Sequence, residues 1–98
     1  MDIGDALKLI KRNLRKKVVE SRHFKEQCED RELDMDIIRE AVRKNKILGI
    51  VEQDEEGLYK IWFFYEKHKD LNIIIRILPN RRLRFVTVFP CYSERRKR

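Results

Sequence analysis

Among the 98 residues, the side chains able to do proton and phosphate chemistry are few and identifiable. There are two histidines, His23 and His68. An ordinary imidazole titrates near neutrality and can therefore carry a proton as acid or base. His23 follows Ser21-Arg22, and Arg31 comes eight residues later. That spacing is a little over two helical turns, which leaves the two near one face. Near the start of a helix, His23 can also serve only to hydrogen-bond a backbone group or a carboxylate. Arg31 can hold a phosphate, or it can pair with Glu26, Asp30 or Asp34. His68 lies in a run of charged residues and reads as a surface residue.

Arginine is the other half of this chemistry, because its planar fork grips phosphate oxygens in pairs. Arg76 stands between Ile75 and Ile77, and Arg84 between Leu83 and Phe85. Both are therefore charges embedded in apolar, strand-like stretches and the leading phosphate ligands. Lys60, flanked by Tyr59 and followed by Trp62, can join them. Arg81 and Arg82 follow Pro79-Asn80 in a turn and can touch a nucleic-acid backbone without reading sequence. Tyr65 can donate a proton or stack, or it can simply fill a core. Cys28 and Cys91 are far apart, in no metal-like spacing, and read as reduced, partly buried thiols rather than a disulfide. The histidines are equally unclustered, so no metal or other cofactor is expected.

The net charge is +7, and its distribution is uneven. Residues 1–19 hold six basic and two acidic side chains, residues 20–70 hold ten and fourteen, and residues 71–98 hold eight and one. The ends are basic and the middle is acidic. Nucleic acid is the first partner such ends suggest. The solvated face of an amphipathic helix and a loose basic tail at residues 93–98 account for part of the same charge. No apolar run reaches the ~20 residues of a membrane span, and the first residues lack the basic-then-apolar order of a secretory signal. A cytoplasmic protein is the expectation.

The elements that must position these groups follow from the hydrophobic period. Ile3, Leu7, Ile10, Leu14 and Val18 recur at steps of three and four, which predicts a helix over 3–18 with a basic outer face. That helix can grip RNA, bind an acidic partner segment or lie on an anionic membrane. The last use is the weakest, since aromatic anchors are missing. Ser21 is a good N-cap for a second helix running to about Arg31. Asp34 caps a third, with Leu33 before the cap set to pack on Ile38. Beyond Asn45 the period becomes two. Strands are predicted over 47–51, 58–65, 71–78 and 83–89, separated by Asp54–Gly57, by a charged turn at 66–70 and by Pro79-Asn80. Connections this short favour antiparallel neighbours. The fold class is thus α+β: N-terminal helices, then a four-stranded antiparallel meander, in one domain spanning 1–98. Alternation puts Leu71, Ile73, Ile75 and Ile77 on one face with Arg76 opposite. It likewise sets Leu83, Phe85, Thr87 and Phe89 opposite Arg84.

From Ser21 to Tyr92 the chain combines Ser21-Arg22-His23, Arg31 before Leu33-Asp34, the 37–42 helix, and Phe85-Val86-Thr87-Val88. This layout resembles the RelE/ParE toxin superfamily, and BrnT-like toxins in particular. The resemblance covers about three-quarters of the chain, with the basic first helix as an addition. It implies an RelE-like fold and a metal-independent endoribonuclease of a toxin–antitoxin system. RNA is then the substrate, free or on the ribosome, and an antitoxin is the partner. It aligns His23 and Arg31 with an N-terminal pair and Thr87 with a last-strand threonine, and puts Tyr92 where some relatives carry a functional tyrosine. The expected site therefore has His23, Arg76 and Tyr92 as catalytic groups, with Arg31, Lys60, Arg82 and Arg84 binding nucleic acid. The alternative is a noncatalytic nucleic-acid- or partner-binding module on the same scaffold.

Overall fold

A computed structural model describes residues 2–16, 18–44, 46–66 and 69–92, with the side chains of Glu66 and Tyr92 outside that set. His68 and the basic tail at 93–98 also lie outside the described residues. The class is α+β, with three helices and a five-stranded mixed sheet. In chain order the elements are α1 (Ile3–Asn13), β1 (Val19–Glu20), α2 (Arg22–Asp30), α3 (Met35–Arg43), β2 (Ile47–Glu52), β3 (Leu58–Glu66), β4 (Lys69–Ile77) and β5 (Leu83–Tyr92). The sheet order is β1-β5-β4-β3-β2. Strands β2 to β5 form the expected antiparallel meander.

The expected four strands are corrected to five by β1, which runs parallel to β5. The first helix is shorter than its apolar period implied. Asp2 caps its start through Asp5 N–H, and Leu14 closes it. Val18 still reaches the core, but from the connection before β1. At the other two helices the caps fall where the residue types indicated. Ser21 Oγ accepts from Phe24 N–H at 3.0 Å, and the Asp34 carboxylate accepts from Asp36 and Ile37 N–H. α2 ends in a Schellman turn: Leu33 N–H reaches Cys28 C=O, and Glu32 takes the positive φ of 53° that glycine more often fills.

The helices cover one face of the sheet. Ala6, Leu9 and Ile10 of α1, Phe24 and Cys28 of α2, and Ile38 and Val42 of α3 meet Tyr59, Ile61, Phe63, Leu71, Ile73, Ile75, Leu83, Phe85 and Val88. Burial pushes the Cys28 thiol up from its ordinary range, with the Glu20 carboxylate adding to the effect. Neither cysteine is in a disulfide. Among the described residues no helix is long and apolar enough to cross a membrane.

Two irregularities correct the expected alternation. Ile74 pairs with Thr87 but Ile75 pairs with Phe85, so Val86 is an extra residue, a β-bulge. The phase inverts there. Leu83 and Phe85 are buried as expected, but Val88 takes the next inward position in place of Thr87 and Phe89. The expected charged turn at 66–70 is also tighter, because β4 already begins at Lys69 and Asp70 is buried in it. β5 continues through Pro90, which is tolerated because β1 ends after Glu20 and leaves that stretch of β5 at the sheet edge.

The second bulge, between Ile47 and Gly49, sets Gly49 opposite Trp62. A Cβ on Gly49 would fall 2.1 Å from the Trp62 ring, so the indole lies directly on the glycine. Gly49→Ala is expected to displace the ring and cost about 1–3 kcal/mol. Trp62 is the only tryptophan, so its emission reports the displacement directly. An unchanged urea midpoint with an unshifted emission maximum would show that the ring does not need this glycine.

Candidate nucleic-acid interface

The site is built where β1 ends against β5. Val19 and Glu20 pair with Arg84 and Phe85, and Ser21 N–H donates to Phe85 C=O at 3.0 Å. Ser21 Oγ also donates to Val86 C=O at 3.2 Å. The first residues of α2 are thereby fixed beside Arg84. Phe24 anchors the turn from below, its ring 5.3 Å from that of Phe85.

Ser21, Arg22, His23, Arg76, Arg84 and Val86 line an open cleft of about 330 Å³. Three of the expected site residues, His23, Arg76 and Arg84, therefore meet in one place. Arg76 and Arg84 are direct cross-strand partners, each four residues from Asn80 in the turn. Like charges facing each other in this way destabilise a sheet. Glu55 offsets part of the repulsion from the β2–β3 turn, its Oε2 lying 2.6 Å from the Arg76 guanidinium. No such partner holds Arg84 among the described residues.

The α2 end of the cleft carries its own positive field. The first turns of α1 and α3 carry Asp5 and Asp36, whereas that of α2 has no acidic residue and opens on Arg22-His23. The helix dipole and its unpaired N–H groups add to the Arg22 guanidinium, an arrangement that suits an anion. Arg22 is partly occupied by Glu26, at 3.0 Å. Neither hydrogen bond expected of a merely structural His23, to backbone or to carboxylate, is present among the described residues.

The other expected residues stand elsewhere. The Arg31 guanidinium donates to Val88 C=O, while Gln27 Oε1 accepts from Val88 N–H at 3.0 Å. Together they close the β5 edge that β1 leaves open, so the structure puts Arg31 on backbone rather than on Glu26, Asp30 or Asp34. Its Cζ also lies 6.0 Å from the Phe89 ring centre. Lys60 is on the open face of the sheet, with Nζ 6.0 Å from the Trp62 ring. Arg82 is exposed in the β4–β5 turn, where its backbone N–H donates to Asn80 Oδ1 at 3.0 Å. The Tyr92 backbone is eight residues beyond Arg84, roughly 26 Å along the strand, and its side chain is outside the described residues. Among the described residues no group of three His, Cys, Asp or Glu is arranged to hold a metal ion.

Arg22 and Glu55 are participants to which residue patterns gave no site role, and Ser21 was read there only as a helix cap. Arg22 lay beside His23 and could have been found from the missing acid in the first turn of α2. Glu55 had no local signal. If the Arg76–Arg84 pair is kept for a ligand rather than for folding, Arg84→Gln leaves the empty protein as stable or a few tenths of a kcal/mol more stable at low salt. The gain disappears at high salt, where the repulsion is screened. A clear loss of stability in urea titrations at low salt would show that the arginine serves the fold instead.

The chain matches no protein-family model, no curated protein and no solved structure, so the cleft stands on its own geometry.

Proposed function

We propose that this chain is a cytoplasmic, RNA-directed protein that holds the phosphate backbone in the Arg22-His23/Arg76/Arg84 cleft and cleaves it there without a metal. The observation that carries this reading is the convergence of His23 with the facing pair Arg76 and Arg84 at a helix N-terminus devoid of acid. A phosphodiester supplies the negative charge that these groups lack. In the reaction the ribose 2′-oxygen loses its proton and bonds to the adjacent phosphorus. The bond from phosphorus to the 5′-oxygen breaks, and that oxygen takes up a proton. The products are a 2′,3′-cyclic phosphate and a 5′-hydroxyl. His23 is the proton carrier of this step, and the two guanidinium groups stabilise the charge that builds on the phosphoryl oxygens. An antitoxin, which the resemblance to RelE and BrnT toxins implies, would neutralise the chain by covering the same cations.

One observation favours the noncatalytic alternative. His23 is the one imidazole in the cleft's lining, which holds no carboxylate or tyrosine, so a second proton carrier is not supplied by the lining itself. A protein that only holds RNA needs none.

The two are separated by incubating the protein with structured and single-stranded RNA in EDTA, beside His23→Ala and Arg76→Ala. Cleavage by the wild type is expected, with His23→Ala slower by roughly 10²–10⁴-fold. No cleavage, or cleavage equal in all three proteins, sinks the catalytic step. Binding then decides the rest. Each of Arg76→Gln and Arg84→Gln is expected to lower the slope of log affinity against log salt by about one. Slopes equal to wild type would remove the cleft from the interface.

A further inference from the structure

We propose that the open face of the sheet takes the unpaired bases of a single-stranded RNA, with a base stacking on Trp62 and Phe89 across Asn72 while the backbone runs to Arg76 and Arg84. This deepens the RNA reading above and rests on it.

The placement comes from the register. Gly49, Trp62, Asn72 and Phe89 are successive cross-strand partners across β2, β3, β4 and β5, so they form one row on the face that the helices leave bare. Val51, Lys60, Ile74 and Thr87 form the next row. Leu58, Arg76 and Arg84 form the one after it. From Asn72 to Arg76 is four residues of β4, about 13 Å, a span that a short run of nucleotides covers.

Three features of this face point to a planar, acceptor-rich ligand. The aromatic rings are not sealed off: Trp62 and Phe89 are half-buried, and Phe64, farther along β3, is 49% exposed. Each ring of the row has a cation near it, Lys60 for Trp62 and Arg31 for Phe89. Finally, two buried donors in the row, Trp62 Nε1 and Asn72 Nδ2, have no hydrogen-bond partner among the described residues, although Asn72 is only 7% exposed. Leaving such groups unpaired is unfavourable, and a partner bearing acceptors recovers the loss. Nucleobases carry carbonyl and ring-nitrogen acceptors at the edge of a flat face, and the indole and phenyl rings offer the surface on which that face rests.

Charge selects an anionic partner over a basic or apolar protein segment, and the stacking rings select nucleic acid among anions. The three rows hold Lys60, Arg76 and Arg84 and no carboxylate. Glu55 reaches Arg76 only from the turn, and Asp70 lies on the far side of the aromatic row from the arginines. Single strands are selected over duplex because a base must leave its stack to lie on a protein ring. The deep groove of an RNA helix also hides its base edges from side chains.

The test uses the full chain and a short labelled RNA, 2′-O-methylated so that cleavage cannot intrude. It is compared with the same sequence as a duplex and with an abasic strand of equal length. The expected result is quenching of Trp62 emission by the single strand, weaker binding of the duplex, and binding of the abasic strand without quenching. By anisotropy Trp62→Ala binds the single strand roughly 5- to 100-fold more weakly. Trp62→Tyr, which keeps a stacking ring, stays within a few-fold of wild type, and circular dichroism verifies that both are folded. If the single strand binds and Arg84→Gln weakens it, yet emission is unquenched and Trp62→Ala is unaffected, base stacking is wrong and the backbone cleft stands. Failure of every RNA to bind overturns both. Self-association that shields Trp62 and persists in RNA makes this face a contact between copies, and overturns the proposal as well.

Discussion

The contact on which the molecule depends is the parallel pairing of Val19 and Glu20 with Arg84 and Phe85. It is only two residues long, yet it joins the helical part of the chain to the last strand across 65 positions. Ser21 extends it by donating its N–H to Phe85, and the same residue caps α2 with its hydroxyl oxygen while that hydroxyl donates to Val86. One serine thus ends a strand and starts a helix. Glu20 ties in the third helix, because both its carboxylate oxygens take hydrogen bonds from Arg39, at 2.7 and 3.0 Å. Those bonds hold the Arg39 guanidinium protonated still more firmly than usual. β1, with Ser21 on Val86 and Phe24 on Phe85, sets His23 beside Arg84.

The two faces of the sheet obey different rules. On the helix side, propensity, burial and capping agree, and six inward positions of β3 and β4, Tyr59, Ile61, Phe63, Leu71, Ile73 and Ile75, are buried. Where α2 meets the open face, ordinary preferences are set aside: a helix start without acid, arginines facing each other, aromatic rings in reach of water, and donors without acceptors. Departures of this kind gather at functional surfaces because a ligand, not the fold, satisfies them. Their concentration within one end and one face of a small domain, and not across its whole surface, is the physical reason for reading them together.

Local signals made most of the framework readable. The caps at Ser21 and Asp34, the apolar steps of the helices and the alternation in β3 and β4 are each set by neighbours a few residues apart. The symmetry of Arg76 and Arg84 about the Pro79-Asn80 turn was equally available. β1 was not, because Val18 continues the four-residue step from Leu14 and a two-residue parallel strand has no local partner to reveal it. The inversion at Val86 escaped for a different reason. Val86, Thr87, Val88 and Phe89 all suit a strand, and none is charged, so their sequence has too little contrast to fix which side each one faces. The role of Arg31 was hidden likewise: the strand-edge carbonyl it takes up belongs to Val88, which only the tertiary pairing brings near.

The charge distribution acquires a different meaning once its pairs are known. The acidic middle of the chain pairs largely within itself, and of four such pairs only Glu55 with Arg76 reaches a basic end. Glu20, Glu26, Glu40 and Glu55 are spent on Arg39, Arg22, Arg43 and Arg76. Of the cleft's lining groups, Arg84 and His23 are left without a carboxylate among the described residues. Arg76 is held by Glu55, but the pair is open to water, and exposed pairs of this kind contribute only about 0–1 kcal/mol. On the proposed reading, an incoming phosphate drawn to Arg84 would displace Glu55 from Arg76 at little cost, the carboxylate serving until then to quiet the facing arginines.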